Sequence, residues 1–196
     1  MIMVMANPRV ILVFSGKRKS GKDYVTDMLQ ELLGDSVSHI MKLSAPLKKQ
    51  YAIEHNLDFE RLLDTTEYKE KVRVDMIAWG ERKRDEDSAY FCRLSTETSP
   101  GFHKPVWIIS DARRKTDIKY FKETYPSATM TVRVTADIAT RENRGYVFTR
   151  NVDDAASECD LDGESFDLVI DNNGDSAKLA ATLQSLKQSI SSKLTV

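Results

Sequence analysis

Gly16-Lys17-Arg18-Lys19-Ser20-Gly21-Lys22-Asp23 stands between an apolar run, Val10-Ile11-Leu12-Val13-Phe14, and a segment in which Val25, Met28, Leu29, Leu32 and Leu33 recur at the spacing of one helical face. Gly16 and Gly21 are spaced as in a phosphate-binding loop. Bare backbone there lets amide N–H groups converge on an oxyanion, while Lys22 reaches the outer phosphates. The apolar run predicts a buried strand delivering the loop. The periodic segment predicts a helix that points its positive dipole end at the phosphates and stops at Gly34. Strand, loop and helix follow one another in the order that the phosphate site needs.

The position after Lys22 departs from the usual pattern. Ser or Thr ordinarily stands there to ligate magnesium through its hydroxyl, and here it is Asp23. A carboxylate can also hold magnesium, at the cost of a negative charge beside the phosphates. Lys17, Arg18 and Lys19 offset that charge.

A chain of 196 residues fits one domain with a sizeable core. Lys and Arg number 29 against 30 Asp and Glu, so a nucleic-acid footprint over the whole protein is not expected, although the basic residues are clumped. Cys92 and Cys159 are too few for a disulfide framework and read as reduced thiols of an intracellular protein. The apolar opening from Met1 to Phe14 is broken by Asn7, Pro8 and Arg9, which argues against a signal peptide or a membrane span. Ser192-Lys193-Leu194 is followed by Thr195-Val196 and so lacks the terminal position of a peroxisomal address; the cytosol is the expected compartment, without a membrane partner.

Along the chain, Ser38 to Leu43 predicts a second strand, and Ser44-Ala45-Pro46 turns it. From Leu47 to about Asp87 the sequence is mainly helical, with Val72, Met76 and Trp79 on an apolar stripe and Lys48, Lys69, Arg73 and Arg84 among its cations. This reads as an insert covering the end of the sheet, closed by Tyr90-Phe91-Cys92-Arg93 and followed by a polar loop from Ser95 to Lys104. Pro105 to Asp111 is an apolar strand buried on both faces; Ser110, Asp111, Arg113 and Arg114 emerge at its carboxyl edge, where parallel sheets bind ligands. A helix from Thr116 to Tyr125 and a strand from Thr129 to Val134, carrying Arg133, come next. Asp137 caps a helix with Arg141 and Arg144 on one face, ended by Gly145. The acidic connection from Tyr146 to Asp162 has the length of a lid. Phe166 to Asp171 is a fifth strand, and Leu179, Leu183, Leu186 and Ile190 form the stripe of a last helix. The expectation is one three-layer α/β/α domain on a five-stranded parallel sheet, with its core at 8–44, 105–144 and 166–196, a helical acceptor-binding region at 45–95 and a lid at 141–162.

Such a set of cations suits a small-molecule kinase, which must hold a triphosphate and a second anion side by side against their repulsion. No Asn-Lys-x-Asp guanine motif is present, and His39, His55 and His103 share no spacing that would suggest a base. An ionised phosphate acceptor requires no base, because its second pKa is about 6.

The loop from Phe14 to Asp23 resembles that of the animal-type phosphomevalonate kinases. So do Leu63-Asp64-Thr65, Tyr68-Lys69-Glu70, Asp75-Met76-Ile77 with Trp79-Gly80, Phe91-Cys92-Arg93 and Ser110-Asp111-Ala112-Arg113-Arg114. Thr131 to Val134, Gly145 to Thr149 and the acidic stretch from Val152 to Cys159 extend the likeness over nearly the whole chain. The resemblance implies a nucleoside-monophosphate-kinase-like P-loop fold and transfer of the ATP γ-phosphoryl group to 5-phosphomevalonate in isoprenoid and sterol synthesis. It implies that Lys17 to Asp23 bind ATP and that Arg141 contacts the nucleotide from the lid; loop position and charge placement add Gly16 and Arg144 to the nucleotide site and make Asp23 the magnesium ligand. Asn172 and Asn173 fall where that family places substrate contacts, Asn173 where relatives often carry histidine. Charge placement adds Lys48, Lys69, Arg73, Arg84, Arg93, Ser110, Asp111, Arg113 and Arg114 as the acceptor cradle, with Lys17, Arg18, Lys19, Lys22, Asp23, Arg113, Arg114 and Arg133 as the catalytic set and Arg133, Arg141 and Arg144 closing over the migrating group, in a monomeric enzyme. Two other readings stay open: a P-loop kinase for a nucleoside monophosphate, and an ATP-sensing domain that is not an enzyme.

Overall fold

A computed structural model describes residues 7–63 and 67–195, with Lys69 in its backbone only. Asp64, Thr65 and the side chain of Lys69 therefore lie outside the described residues.

The central strand β1, Val10–Ser15, is buried along its whole length, as its uninterrupted apolar run predicts. It is followed by α1 (Lys22–Leu33), β2 (Ser38–Met41) and four insert helices: α2 (Ser44–Glu54), α3 (Phe59–Leu63), α4 (Glu67–Glu86) and α5 (Tyr90–Glu97). Then come β3 (Val106–Ile109), α6 (Lys115–Thr124), β4 (Thr129–Thr135), α7 (Ile138–Asn143), α8 (Ala156–Cys159), β5 (Leu168–Asp171) and α9 (Ser176–Leu194). The strands lie in the order β2-β3-β1-β4-β5, and all four ladders are parallel, so each strand returns through a crossover that covers a face of the sheet.

Side chains of β1 alternate between two apolar clusters. Val10, Leu12 and Phe14 meet Val25 and Leu29 of α1 and Leu179, Leu183, Leu186 and Ile190 of α9 on one face. Ile11 and Val13 meet Phe121 of α6 on the other. The three predicted layers and both helical stripes are present. Gly34, at φ 85, ends α1 by donating its N–H to the Gln30 carbonyl. Among the described residues no helix is long and apolar enough to cross a membrane.

The insert packs on its own cluster of Tyr51, Leu62, Met76, Trp79 and Phe91. Trp79 satisfies its indole N–H on Glu54 at 2.8 Å. Gly80 lets α4 close on α2, because a Cβ there would come within 2.8 Å of Leu47 Cδ1.

Several boundaries differ from the sequence expectation, β2 ending at Met41 and β3 spanning only Val106–Ile109 among them, and in two places a side chain gives the reason. Helix α5 runs to Glu97, three residues into the predicted loop, and buries Ser95 and Thr96. The Thr96 hydroxyl donates back to the carbonyls of Cys92 and Arg93 at 3.0 Å, which lets a polar residue sit inside a buried helix turn. Strand β5 starts at Leu168 rather than Phe166, because the Asp167 carboxylate takes the Thr131 N–H at 2.7 Å just ahead of the ladder.

Candidate active site

The loop after β1 is held from behind. Asn172 donates to the Ser20 carbonyl at 2.8 Å, Arg144 to the same carbonyl at 3.0 Å, and Arg141 to the Arg18 carbonyl at 2.8 Å. In a trans peptide the next N–H points opposite to the carbonyl, so these bonds turn the Lys19 and Gly21 amides away from the arginines. Close packing explains both glycines. A Cβ on Gly16 would lie 2.7 Å from the Val134 carbonyl oxygen, and Gly21, at φ 82, is backed by the Asn172 amide. The loop walls a cavity of about 250 Å³ that is lined by residues 16–19 and 21–24 and by Arg113.

Lys22 opens α1 with its ammonium 2.5 Å from Asp23, whose side chain is 67% exposed. Partial burial pushes the Asp23 carboxyl upward, but Lys22, helped by Lys42 and Arg113, outweighs this and holds it below the usual carboxylate range. An ionised, accessible carboxylate beside the loop suits a magnesium ligand. Among the described residues no group of three His, Cys, Asp or Glu could hold a metal, so phosphate oxygens would have to complete its coordination.

A second cleft, of about 160 Å³, opens between the insert and the carboxyl end of β3. Lys48, Arg73, Arg84, Arg113 and Arg114 line it beside apolar Leu47, Met76 and Val152. Partners from distant segments fix two of these cations. Arg84 donates to the fully buried Asp117 at 2.7 Å, and Arg114 pairs with Glu81. Asp117 also accepts the Arg113 and Arg114 backbone N–H groups at 2.9 and 3.0 Å, which sets the path of the chain out of β3. Arg113 lines both the loop cavity and the cleft. No aromatic residue or histidine is among the described residues lining the cleft.

The connection from 146 to 162 lies on the loop. Asp162 pairs with Lys17 at 2.6 Å and Arg133 at 3.2 Å, Asp153 with Arg18 at 2.6 Å, and Glu158 with Arg113. Arg133 reaches this group from β4 and also donates to Ser15 at 3.1 Å.

Several residues expected at the acceptor are placed elsewhere. Asn172 and Asn173 follow β5, at the sheet edge opposite the insert; Asn172 backs the phosphate loop, and Asn173 accepts the Asp137 N–H at 2.8 Å. Ser110 is fully buried and does not line the cleft. Asp111 lines it, but its two oxygens accept the Leu43 and Ser44 N–H groups at 2.6 and 3.1 Å, clamping the insert to β3. Arg93 pairs with Asp87 and does not line the cleft. Arg141 and Arg144 meet the loop through its carbonyls. Glu81 and Asp117, which orient two arginines, went unnoticed in the sequence; Glu81 is three residues before Arg84, yet its partner is Arg114 on another element.

A family model described as phosphomevalonate kinase matches residues 14–127. A curated phosphomevalonate kinase of Drosophila melanogaster is 45% identical over 167 residues, covering 83% of this chain and 88% of that protein. Among solved structures, TT1252 from Thermus thermophilus aligns with TM-score 0.54 at 16% identity over 92% of this chain and 97% of its own, a likeness of fold. A gluconokinase from Sinorhizobium meliloti 1021 aligns at TM-score 0.48 and 17% identity over 93% and 95% of the two chains.

Proposed function

The chain belongs to the phosphomevalonate kinase family, and from that premise we propose that it transfers the γ-phosphoryl group of ATP to 5-phosphomevalonate, giving ADP and 5-diphosphomevalonate. The observation that carries this reading is Arg113, a single guanidinium that lines both the phosphate-loop cavity and the cationic cleft. Two polyanions can meet only where their repulsion is neutralised, and a fork of donors shared by both cavities lies where the migrating group would pass.

In this reading the loop amides, Lys17, Lys19 and Lys22 bind the triphosphate, and Arg141, Arg144 and Asn172 keep the loop carbonyls turned away from it. Arg18 and Arg133 join from the lid side. Asp23 is the residue that would hold magnesium, which supplies further charge neutralisation on the phosphates. Lys48, Arg73, Arg84 and Arg114 take the acceptor, with Lys69 as a further candidate. The apolar wall of Leu47, Met76 and Val152 suits a short branched carbon chain, and among the described lining residues no aromatic ring offers a nucleobase a stacking partner. No general base is required, because the acceptor phosphate is already ionised.

Coupled ADP production with phosphomevalonate and a panel of nucleoside monophosphates tests the reading. Turnover should appear with phosphomevalonate alone, and Lys22→Met should lower kcat by about 10²–10³ with its melting transition intact. Turnover with a nucleoside monophosphate instead, or none with any acceptor, rejects it.

A further inference from the structure

The acidic lid does more than cover the loop. Its span is bounded by Gly145 at φ 79 and Gly163 at φ 77, and a Cβ at either would meet nothing within 4 Å. Two open, glycine-permitted joints are what a swinging segment needs. Between them the three acids already described occupy cations of the transfer site.

Glu158 differs from the other two acids. One of its carboxylate oxygens pairs with Arg113, while the other accepts the Arg18 backbone N–H at 3.3 Å. Its side chain is 4% exposed. A single buried carboxylate therefore spans a loop amide on the nucleotide side and the guanidinium shared with the acceptor cleft. Among the described residues the Asp162 carboxylate pairs with Lys17 and Arg133, on the nucleotide side.

We propose that Glu158 is an internal surrogate for a substrate phosphate, and that its displacement couples the two substrate sites. This rests on the phosphoryl-transfer reading above. Arg113 and the Arg18 amide cannot serve Glu158 and a substrate phosphate at full strength together. Whichever substrate arrives first must displace the carboxylate and bear that cost, and the second finds the site cleared. The coupling is reciprocal, so each substrate tightens the other by the same factor.

Calorimetric titration of ADP, with and without saturating phosphomevalonate, tests this on the full chain and on the Glu158→Gln and Asp162→Asn variants. In the unsubstituted protein phosphomevalonate should tighten ADP binding by about fivefold or more. Glu158→Gln should bind ADP alone more tightly, on the order of fivefold, and phosphomevalonate should tighten it no further. Asp162→Asn should also bind ADP more tightly yet keep the full coupling, since it touches nothing on the acceptor side. Weaker ADP binding in Glu158→Gln, undiminished coupling in that variant, or no coupling in the unsubstituted protein overturns the proposal. If Glu158→Gln has no cooperative melting transition, the coupling itself decides: phosphomevalonate must still tighten ADP binding in both the unsubstituted protein and Asp162→Asn, and its absence from the first or its loss in the second overturns the proposal. Turnover with phosphomevalonate is measured separately: its absence defeats the functional reading, whereas the titration of ADP alone reads the surrogate.

Discussion

Replacing Arg113 with alanine separates catalysis from folding at the point where the two cavities meet. The guanidinium pairs with Glu158, whose side chain is 4% exposed, while that of Arg113 is 38% exposed. Deleting it strands a buried carboxylate; because the lost partner is partly in water, the penalty is about 1–2 kcal/mol rather than the full cost of breaking a buried pair. Differential scanning calorimetry should show Tm falling by roughly 2–8 °C. Catalysis should suffer more. Losing one preorganised donor to developing charge lowers kcat by about 10²–10³. The KM for phosphomevalonate should rise more than that for ATP, because the loop amides, Lys17 and Lys22 still hold the triphosphate. Arg113→Ala combined with Glu158→Gln should recover most of the Tm and little of the kcat. Coupled ADP assays on the three proteins give the result. A single variant with kcat within roughly tenfold of the parent, or a double variant that recovers kcat along with Tm, would refute the assignment of Arg113 to the migrating group.

Two further outcomes are expected. Asn172→Ala removes the 2.8 Å bond to the Ser20 carbonyl behind the loop, so the KM for ATP should rise about fivefold with the KM for phosphomevalonate unchanged; the reverse pattern in initial-rate kinetics would restore Asn172 to the acceptor site. The Asp167 carboxyl is held below its ordinary value chiefly by the Thr131 N–H, which outweighs its partial burial. A carboxyl depressed in the folded state contributes stability that is fully present above its unfolded pKa of about 3.9 and is lost as pH falls through the folded value. Asp167→Asn should therefore cost about 1 kcal/mol in urea unfolding near pH 7, and the gap should close well below pH 4; a gap that widens in acid would contradict the sign.

The sheet and its covering helices could be read in advance because their cause is local and periodic. A five-residue apolar run leading straight into a glycine loop suits a strand covered on both faces, and Leu179, Leu183, Leu186 and Ile190 can share a face only on a helix. Boundaries were less legible where a side chain met a backbone group elsewhere. Ser95 and Thr96 look like loop residues until Thr96 satisfies its hydroxyl inside α5, and Asp167 looks like part of a strand until it takes the Thr131 N–H.

The candidate site divides in the same way. The phosphate loop is contiguous, so its backbone requirement for glycine and its lysine are written within the eight residues from Gly16 to Asp23, and the helix behind it follows directly. The arginines could be counted in the sequence, but not their roles. Which carboxylate a guanidinium meets depends on segments far apart in the chain: Arg84 on Asp117, Arg114 on Glu81, Arg113 on Glu158. Strand order decided the rest. With β5 at the edge opposite β2, Asn172 falls behind the loop and away from the insert, while the end of β3 brings Arg113 between the two cavities. Local pattern determined that the chain would build a phosphate cradle on a parallel sheet; only long-range packing decided which charges face it, because a charge acts through distance in space and the sequence records only distance along the chain.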